Sequence, residues 1–131
     1  MKYFTIKELC KSSTAEQKKI DNTPNSEVVN NLEKLVEHIL DPLREKYGKP
    51  ITVNGAYRCP ELNKAVGGSK TSQHMTGQAA DITVGSPDSN KKLFNLIIEM
   101  DLPFDQLIDE KNFRWIHVSY SDKHRKQILH L

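Results

Sequence analysis

Apolar positions along the chain recur at two spacings, and the switch between them separates helices from strands. Val28, Val29, Leu32, Leu35, Val36, Ile39, Leu40 and Leu43 share one helical face, and Ser26 ahead of them reads as the N-cap. Pro42 is expected to kink this helix, and Gly48 with Pro50 to end it. A second amphipathic helix is built on Leu93, Phe94, Leu96, Ile97 and Met100, with Ser89 as its cap and Pro103 as its stop. Thr5-Ile6-Lys7-Glu8 has the form of a capping box before a short helix. Ser12, Ser13 and Thr14 interrupt that helix, and the polar stretch from Ala15 to Asn25 reads as a loop or a short helical turn. Pro60 suits the first position of another short helix, which runs to Ala65.

The strand signals are shorter. Ile51-Thr52-Val53 precedes a turn-like Asn54-Gly55, and Ala79 to Val84 forms a compact run beyond the polar, irregular segment Lys70 to Gly77. Gln106 to Asp109 is a further candidate. Arg114 to Tyr120 alternates cleanly, with Trp115, His117 and Ser119 on one face and Ile116, Val118 and Tyr120 on the other. That period points His117 at a cleft while its neighbours hold the strand in the core. Gln127 to Leu131 reads as a final edge strand. The whole predicts one α+β domain over residues 1–131, with helices packed on a small, mainly antiparallel sheet.

Composition narrows the partners. The formal net charge is +2, from 19 Lys and Arg against 17 Asp and Glu, too small a surplus to argue for nucleic acid. His124-Arg125-Lys126 reads as a solvated face that needs no partner. No segment approaches the roughly 20 apolar residues of a membrane span. The N-terminal Met1 to Thr5 has no apolar run of signal-peptide length. Synthesis in the cytoplasm is therefore expected, and a target outside the membrane would be reached by lysis or aboard a virion. Cys10 and Cys59 match no metal-binding spacing and are expected as two reduced, partly buried thiols. A monomer is expected, since the helix faces and the last strand can all be used within one chain.

Two polar stations carry the candidate chemistry. One is Ser72-Gln73-His74-Met75-Thr76-Gly77-Gln78-Ala79-Ala80-Asp81, and the other is Trp115-Ile116-His117-Val118-Ser119. His74 and Asp81 are not at the spacing of a zinc-binding helix. A loop histidine and a strand carboxylate can still meet at one ion, with His117 from a neighbouring strand as a third ligand. Two histidines and a carboxylate would leave one position of a zinc open to water. The competing reading makes His74 a surface loop residue and His117 a hydrogen-bonded strand residue.

The motif SxHxxGxAxD, met by Ser72, His74, Gly77, Ala79 and Asp81, resembles that of the M15 zinc peptidases. This group comprises D-alanyl-D-alanine carboxypeptidases and L-alanyl-D-glutamate endopeptidases, and the small phage and prophage members are the most similar. The family's tryptophan-x-histidine is met by Trp115 and His117, and the arginine after its first core strand by Arg58 in Asn54-Gly55-Ala56-Tyr57-Arg58. Asp105-Gln106-Leu107-Ile108 resembles the strand that precedes the last ligand. The likeness spans roughly Ile51 to Tyr120. It implies the fold shared with the Hedgehog signalling domain, one Zn2+ per chain on His74, Asp81 and His117, and hydrolysis of peptidoglycan stem or cross-bridge peptides containing D-amino acids.

The resemblance also assigns roles. Arg58 would dock a substrate carboxylate or steady an oxyanion, its alternative being a structural salt bridge. Ser72 and Gln73 would orient His74 or bind peptide backbone, and Trp115 would line the cleft or pack in the core. Tyr57 and Tyr120 are candidate wall residues or plain structural ones. One departure stands out: many members carry the catalytic acid three residues before the last histidine, where this chain has Arg114. Glu110 is the preferred substitute, ahead of Asp109, if the 110–114 loop folds back between paired strands. Asp105 and Asp109 otherwise read as ordinary loop or edge charges. A carboxypeptidase or endopeptidase of endolysin-like type is the leading expectation. A metal-bearing domain that binds wall peptide without turnover, or serves as a phage structural module, is the alternative.

Overall fold

The computed structural model describes residues 1–131. Six α-helices surround a five-stranded sheet: α1 Ile6–Cys10, α2 Ser13–Lys18, α3 Ser26–Leu35, α4 Asp41–Tyr47, α5 Pro60–Ala65 and α6 Pro87–Glu99. The strands are β1 Thr52–Gly55, β2 Ala79–Thr83, β3 Gln106–Glu110, β4 Trp115–Ser119 and β5 Gln127–His130, in the spatial order β1-β2-β4-β3-β5. The β1–β2, β2–β4 and β4–β3 pairs are antiparallel, whereas β5 lies parallel to β3. The architecture is α+β, as the hydrophobic pattern predicts. No helix is long and apolar enough to cross a membrane.

α3 and α4 belong to one long helical rod joined by a π-helical turn, Val36–Leu40. Pro42 explains the turn. Its ring would crowd the carbonyl four residues back, and a widened turn relieves that conflict without ending the helix. Asp41 N–H reaches five residues back, to Val36 O. The expected kink is thus a local bulge. The N-cap is Asn25 and not Ser26: its side chain accepts from Val28 N–H at 2.9 Å. Likewise Ser86, not Ser89, caps α6, because Pro87 takes the first helical position and Ser86 Oγ accepts from Ser89 N–H. α6 also stops at Glu99, ahead of Pro103, with Asp101 in a left-handed conformation. Asn54-Gly55 is no turn: both residues lie in β1, where the register slips between Val53 and Gly55. The polar stretch after Ser12 contains α2, with Ser12 as its cap.

One face of the sheet carries the core. Ala80, Ile82, Leu107, Ile116 and Val118 are buried there with Leu32, Leu35, Ile39 and Leu43 from the rod and Leu93, Phe94 and Ile97 from α6. The opposite face carries Asp81, Ile108, Trp115 and His117. This is the arrangement that strict alternation in Arg114 to Tyr120 predicts.

The β3–β4 hairpin is tight and strained. Lys111, Asn112 and Phe113 all have positive φ, between 52° and 64°. Asn90, fully buried on α6, holds this loop: its Nδ2 donates to Phe113 O at 2.8 Å and Arg114 O at 3.1 Å, while its Oδ1 accepts from Val84 N–H at 2.8 Å. Phe113 packs edge-on against Phe94. The basic run near the C-terminus is exposed, as expected, and its side chains also have partners within the chain. Arg125 clamps Asp105, Lys126 Nζ donates to Asp101 Oδ1, and the His124 ring lies by Tyr120. Cys10 and Cys59 are free and half-buried, and burial pushes the Cys10 thiol up to about 11.

The hairpin anchor gives a direct test. Asn90→Leu leaves the carbonyls of Phe113 and Arg114 without their donor, and each stranded buried polar group costs about 1–3 kcal/mol. The urea midpoint should fall by the equivalent of about 3 kcal/mol with an unchanged denaturant slope.

Candidate metal centre

The site is built on register. Asp81 in β2 lies directly opposite His117 in β4, so both side chains leave the same face of the sheet side by side. His117 Nδ1 is 3.1 Å from Asp81 Oδ1. His74 arrives from outside the sheet, on the 3-10 turn Gln73–Thr76, and its Nε2 is 3.4 Å from Asp81 Oδ2. That ring is 3% exposed and so not the surface residue of the competing sequence reading. Its other nitrogen, Nδ1, donates to Ala56 O at 2.6 Å. A carbonyl can only accept, so the proton is fixed on Nδ1 and the Nε2 lone pair is free for a metal.

Backbone geometry explains why the turn sits where it does. Gly77 closes it at φ 76°. A Cβ there would lie 2.8 Å from Val28 O and 3.0 Å from Val28 Cγ1, so only glycine lets the turn press against α3. Asn31 Nδ2 donates from α3 to Thr76 O, and Arg58 N–H donates to His74 O. Ser72 Oγ accepts from His74 N–H at 3.2 Å and from Arg58 Nη2 at 3.4 Å, which ties the arginine to the ligand loop.

The three residues fit a zinc ion. Ligand atoms on a tetrahedral zinc with bonds of about 2.0–2.1 Å stand about 3.3 Å apart. His117 Nδ1 is 3.1 Å from Asp81 Oδ1 and His74 Nε2 is 3.4 Å from Asp81 Oδ2, and one ligand atom from each residue lies within 4.8 Å of the other two. Burial works to raise the Asp81 carboxyl, yet the hydrogen bonds to His117 and His74 outweigh it and hold the group well below the usual carboxylate range. The carboxylate is therefore ionised at any neutral pH and ready to bind a cation.

The ligands border an open cavity of about 710 Å3. Arg58, Ser72, Gln73, Glu110 and Trp115 line it with them, whereas Tyr57, Tyr120 and Asp109 do not. Glu110 leaves the sheet on the His117 face because it pairs with Trp115, two residues before the ligand. Trp115 Nε1–H donates to Glu110 Oε2 at 3.0 Å. Arg58 is half-buried, and its Nε is buried without a partner. Burial lowers its pKa, while Asp81 and Glu110 pull it back. Tyr57 and Tyr120 lie outside the cavity. Tyr57 packs in the core, and Tyr120 stacks on His38 at 4.7 Å.

Two carboxylates depart from their sequence reading as ordinary charges. Asp109 is buried on the opposite face of the sheet, paired with His130 beside Phe94. Asp105 precedes β3 and is wholly buried. It accepts from Arg125 Nε at 2.8 Å, Arg125 Nη2 at 2.9 Å, Arg125 N–H at 3.0 Å and Gln73 Nε2 at 2.9 Å. Gln73 is thereby held to the start of β3, next to the ligand His74. Gln106, Ile108, Lys123, Arg125 and Leu129 also border the cavity and were not nominated from sequence. The period-two parity of β3 shows Ile108 and Gln106 once Glu110 is placed; nothing local marks the others.

Two histidines and one carboxylate converging in an open cavity are the donor set of a mononuclear catalytic zinc site. The peptidase M15 family model matches residues 2–119, and the chain belongs to that family. The chain is also 50% identical over 48 residues to the zinc D-Ala-D-Ala carboxypeptidase of Streptomyces albus G. The match takes in 36% of this chain and 19% of that relative.

Asp105 gives the site an acid-labile support. The Arg125 side chain, chiefly, holds its carboxyl well below the usual range. A depressed folded pKa contributes stability above the unfolded value of about 3.9, and that contribution is lost as pH falls below it toward the folded value. Asp105→Asn should therefore lower stability at pH 7 and flatten the loss of stability below about pH 4. Chemical denaturation at a series of pH values will show it.

Proposed function

We propose that this chain is a zinc-dependent peptidase that hydrolyses peptidoglycan stem or cross-bridge peptides containing D-amino acids. The observation that carries the reading is the placement of Glu110 in one cavity with His74, Asp81 and His117. A three-residue donor set leaves a position open for water but supplies no group to take that water's proton. A carboxylate beside it adds the proton acceptor that hydrolysis needs. The M15 membership and the relative's named substrate, D-Ala-D-Ala, supply the substrate class.

His74, Asp81 and His117 would hold the ion, which when bound supplies Lewis acidity toward water and the scissile carbonyl. Glu110 takes a proton from the attacking water and returns it to the leaving amine nitrogen. The Trp115 N–H on Oε2 fixes the carboxylate, which leaves Oε1 to carry the proton. On this reading the acid missing at Arg114 is supplied from the neighbouring strand, across the hairpin, and the pairing of Glu110 with Trp115 supports it. Arg58 receives a substrate carboxylate or the developing negative charge on the carbonyl oxygen. Its tie to Ser72 keeps that cation aimed into the cavity. Ser72 and Gln73 act mainly by fixing the His74 turn.

Protein purified without chelators should contain about one zinc per chain, and His117→Ala should lose it. Glu110→Gln keeps the shape of the side chain and removes the base. It should retain the metal while turnover falls about 10²–10⁴-fold, as measured by mass spectrometry of purified muropeptides. Fragment masses also separate removal of a terminal D-Ala from an internal cut. Full activity in the Glu110 variant would sink its assignment as the base. Muropeptides left intact by the zinc-loaded wild type would leave a domain that binds wall peptide without cutting it.

A further inference from the structure

The segment after β4 brings two cations to the cavity that hydrolysis itself does not use. Lys123 and Arg125 border the cavity that holds the metal ligands, and both also border a smaller recess of about 270 Å3 next to it. Gln73 is common to both spaces, so the two adjoin along its side chain. Arg125 is fixed by the two-pronged contact of Nε and Nη2 with the buried Asp105 carboxylate. One edge of its guanidinium is thereby used, and its remaining N–H groups are held in a set direction. Lys123 is exposed, and its ammonium makes no ion pair or hydrogen bond within the chain. Its backbone is pinned where Ser121 Oγ accepts from Lys123 N–H, ahead of left-handed residues at His124 and Lys126.

The charge balance indicates what this wall receives. The main cavity is bordered by Arg58, Lys123 and Arg125 against Asp81 and Glu110. Asp81 is committed to the metal ligands, Asp105 already answers Arg125, and Glu110 acts on Arg58. Lys123 is the cation left over, beside an oriented guanidinium edge. Asp122 borders only the smaller recess and sets a limit on how deep an anion can go.

We propose that Lys123 and Arg125 form an outlying subsite for a carboxylate on the substrate peptide, separate from the scissile bond, which makes acidic peptides the preferred substrates. The inference rests on the peptidase reading for its substrate. The subsite itself can be measured without turnover.

The test uses the zinc-loaded full chain and pairs of synthetic stem peptides. Within each pair, one acidic residue carries either its free carboxylate or the carboxamide, and each acidic position is taken in turn. One position should show a KM about tenfold lower for the carboxylate form, the scale of one charge-assisted contact. Lys123→Gln should bring that ratio close to one, and Lys123→Glu should invert it. Lys123 is the residue to vary because removing Arg125 would strand the buried Asp105 and risk the fold. Equal KM values across every wild-type pair would overturn the subsite, as would a ratio that Lys123→Glu leaves unchanged. Calorimetric titration of the same pairs into the zinc-loaded protein separates the two ideas. If no peptide is cleaved, the peptidase reading fails. Tighter binding of one carboxylate form, abolished by Lys123→Glu, would still support the subsite, and indifference to the carboxylate would overturn it.

Discussion

Two of the three converging side chains depend on the antiparallel register between β2 and β4. Pairing Asp81 with His117 sets a carboxylate and an imidazole at neighbouring positions on one face. A slip of one residue would turn Asp81 into the core and send Ala80 or Ile82 to the cavity. The core prevents that slip. Ala80, Ile82, Ile116 and Val118 are all fully buried, and the free energy of burying them is what holds the ligands in phase. The same parity runs on into β3, where Ile108 opposes His117 and Glu110 opposes Trp115. Asp81, His117 and Glu110 thus share one face through a single alternation pattern carried across three strands.

His74 needs a different constraint, because no sheet register reaches it. Its turn is held by the close approach of Gly77 to α3, by Asn31 on Thr76, and by the Ala56 carbonyl on Nδ1. On the far side, Gln73 is tied to Asp105 and through it to Arg125. The ligand loop is therefore clamped between the long helical rod and the segment leading to β5. Such support keeps a histidine ring rigid against the thermal motion of an otherwise irregular segment, and this matters because metal affinity falls when ligands must be ordered on binding.

Much of this was legible in the sequence wherever a period was present. The two amphipathic helices and the alternation around His117 rest on repeated local signals, and the structure contains each of them; of the capping box it contains the Thr5 half, whose side chain accepts from Glu8 N–H. Errors fell where two local rules competed. Ser26 and Ser89 are good caps, but Asn25 and the Ser86-Pro87 pair stand earlier and win the position. Asn54-Gly55 is a turn dipeptide by composition, and pairing with β2 overrides it. Long-range pairings left no local trace. Nothing near Asp105 marks it as the partner of Arg125, and nothing in His124-Arg125-Lys126 marks Arg125 as the one that clamps a buried carboxylate.

Glu110 shows how such a pairing can be inferred. With Arg114 three residues before His117, the usual position for a proton acceptor holds an exposed cation, and its backbone carbonyl is spent on Asn90. The strand that pairs with β4 reaches the same face through Glu110. Glu110 pairs with Trp115 and so stands on the face of the sheet that carries His117. The cost is the strained left-handed loop at Lys111, Asn112 and Phe113, which keeps the hairpin short enough for Glu110 and Trp115 to face each other. Asn90 and Phe94 offset that strain from beneath. Backbone strain beside a reactive cavity is tolerated when the surrounding packing determines it from several directions, and here a buried amide, an aromatic contact and the strand pair all do so.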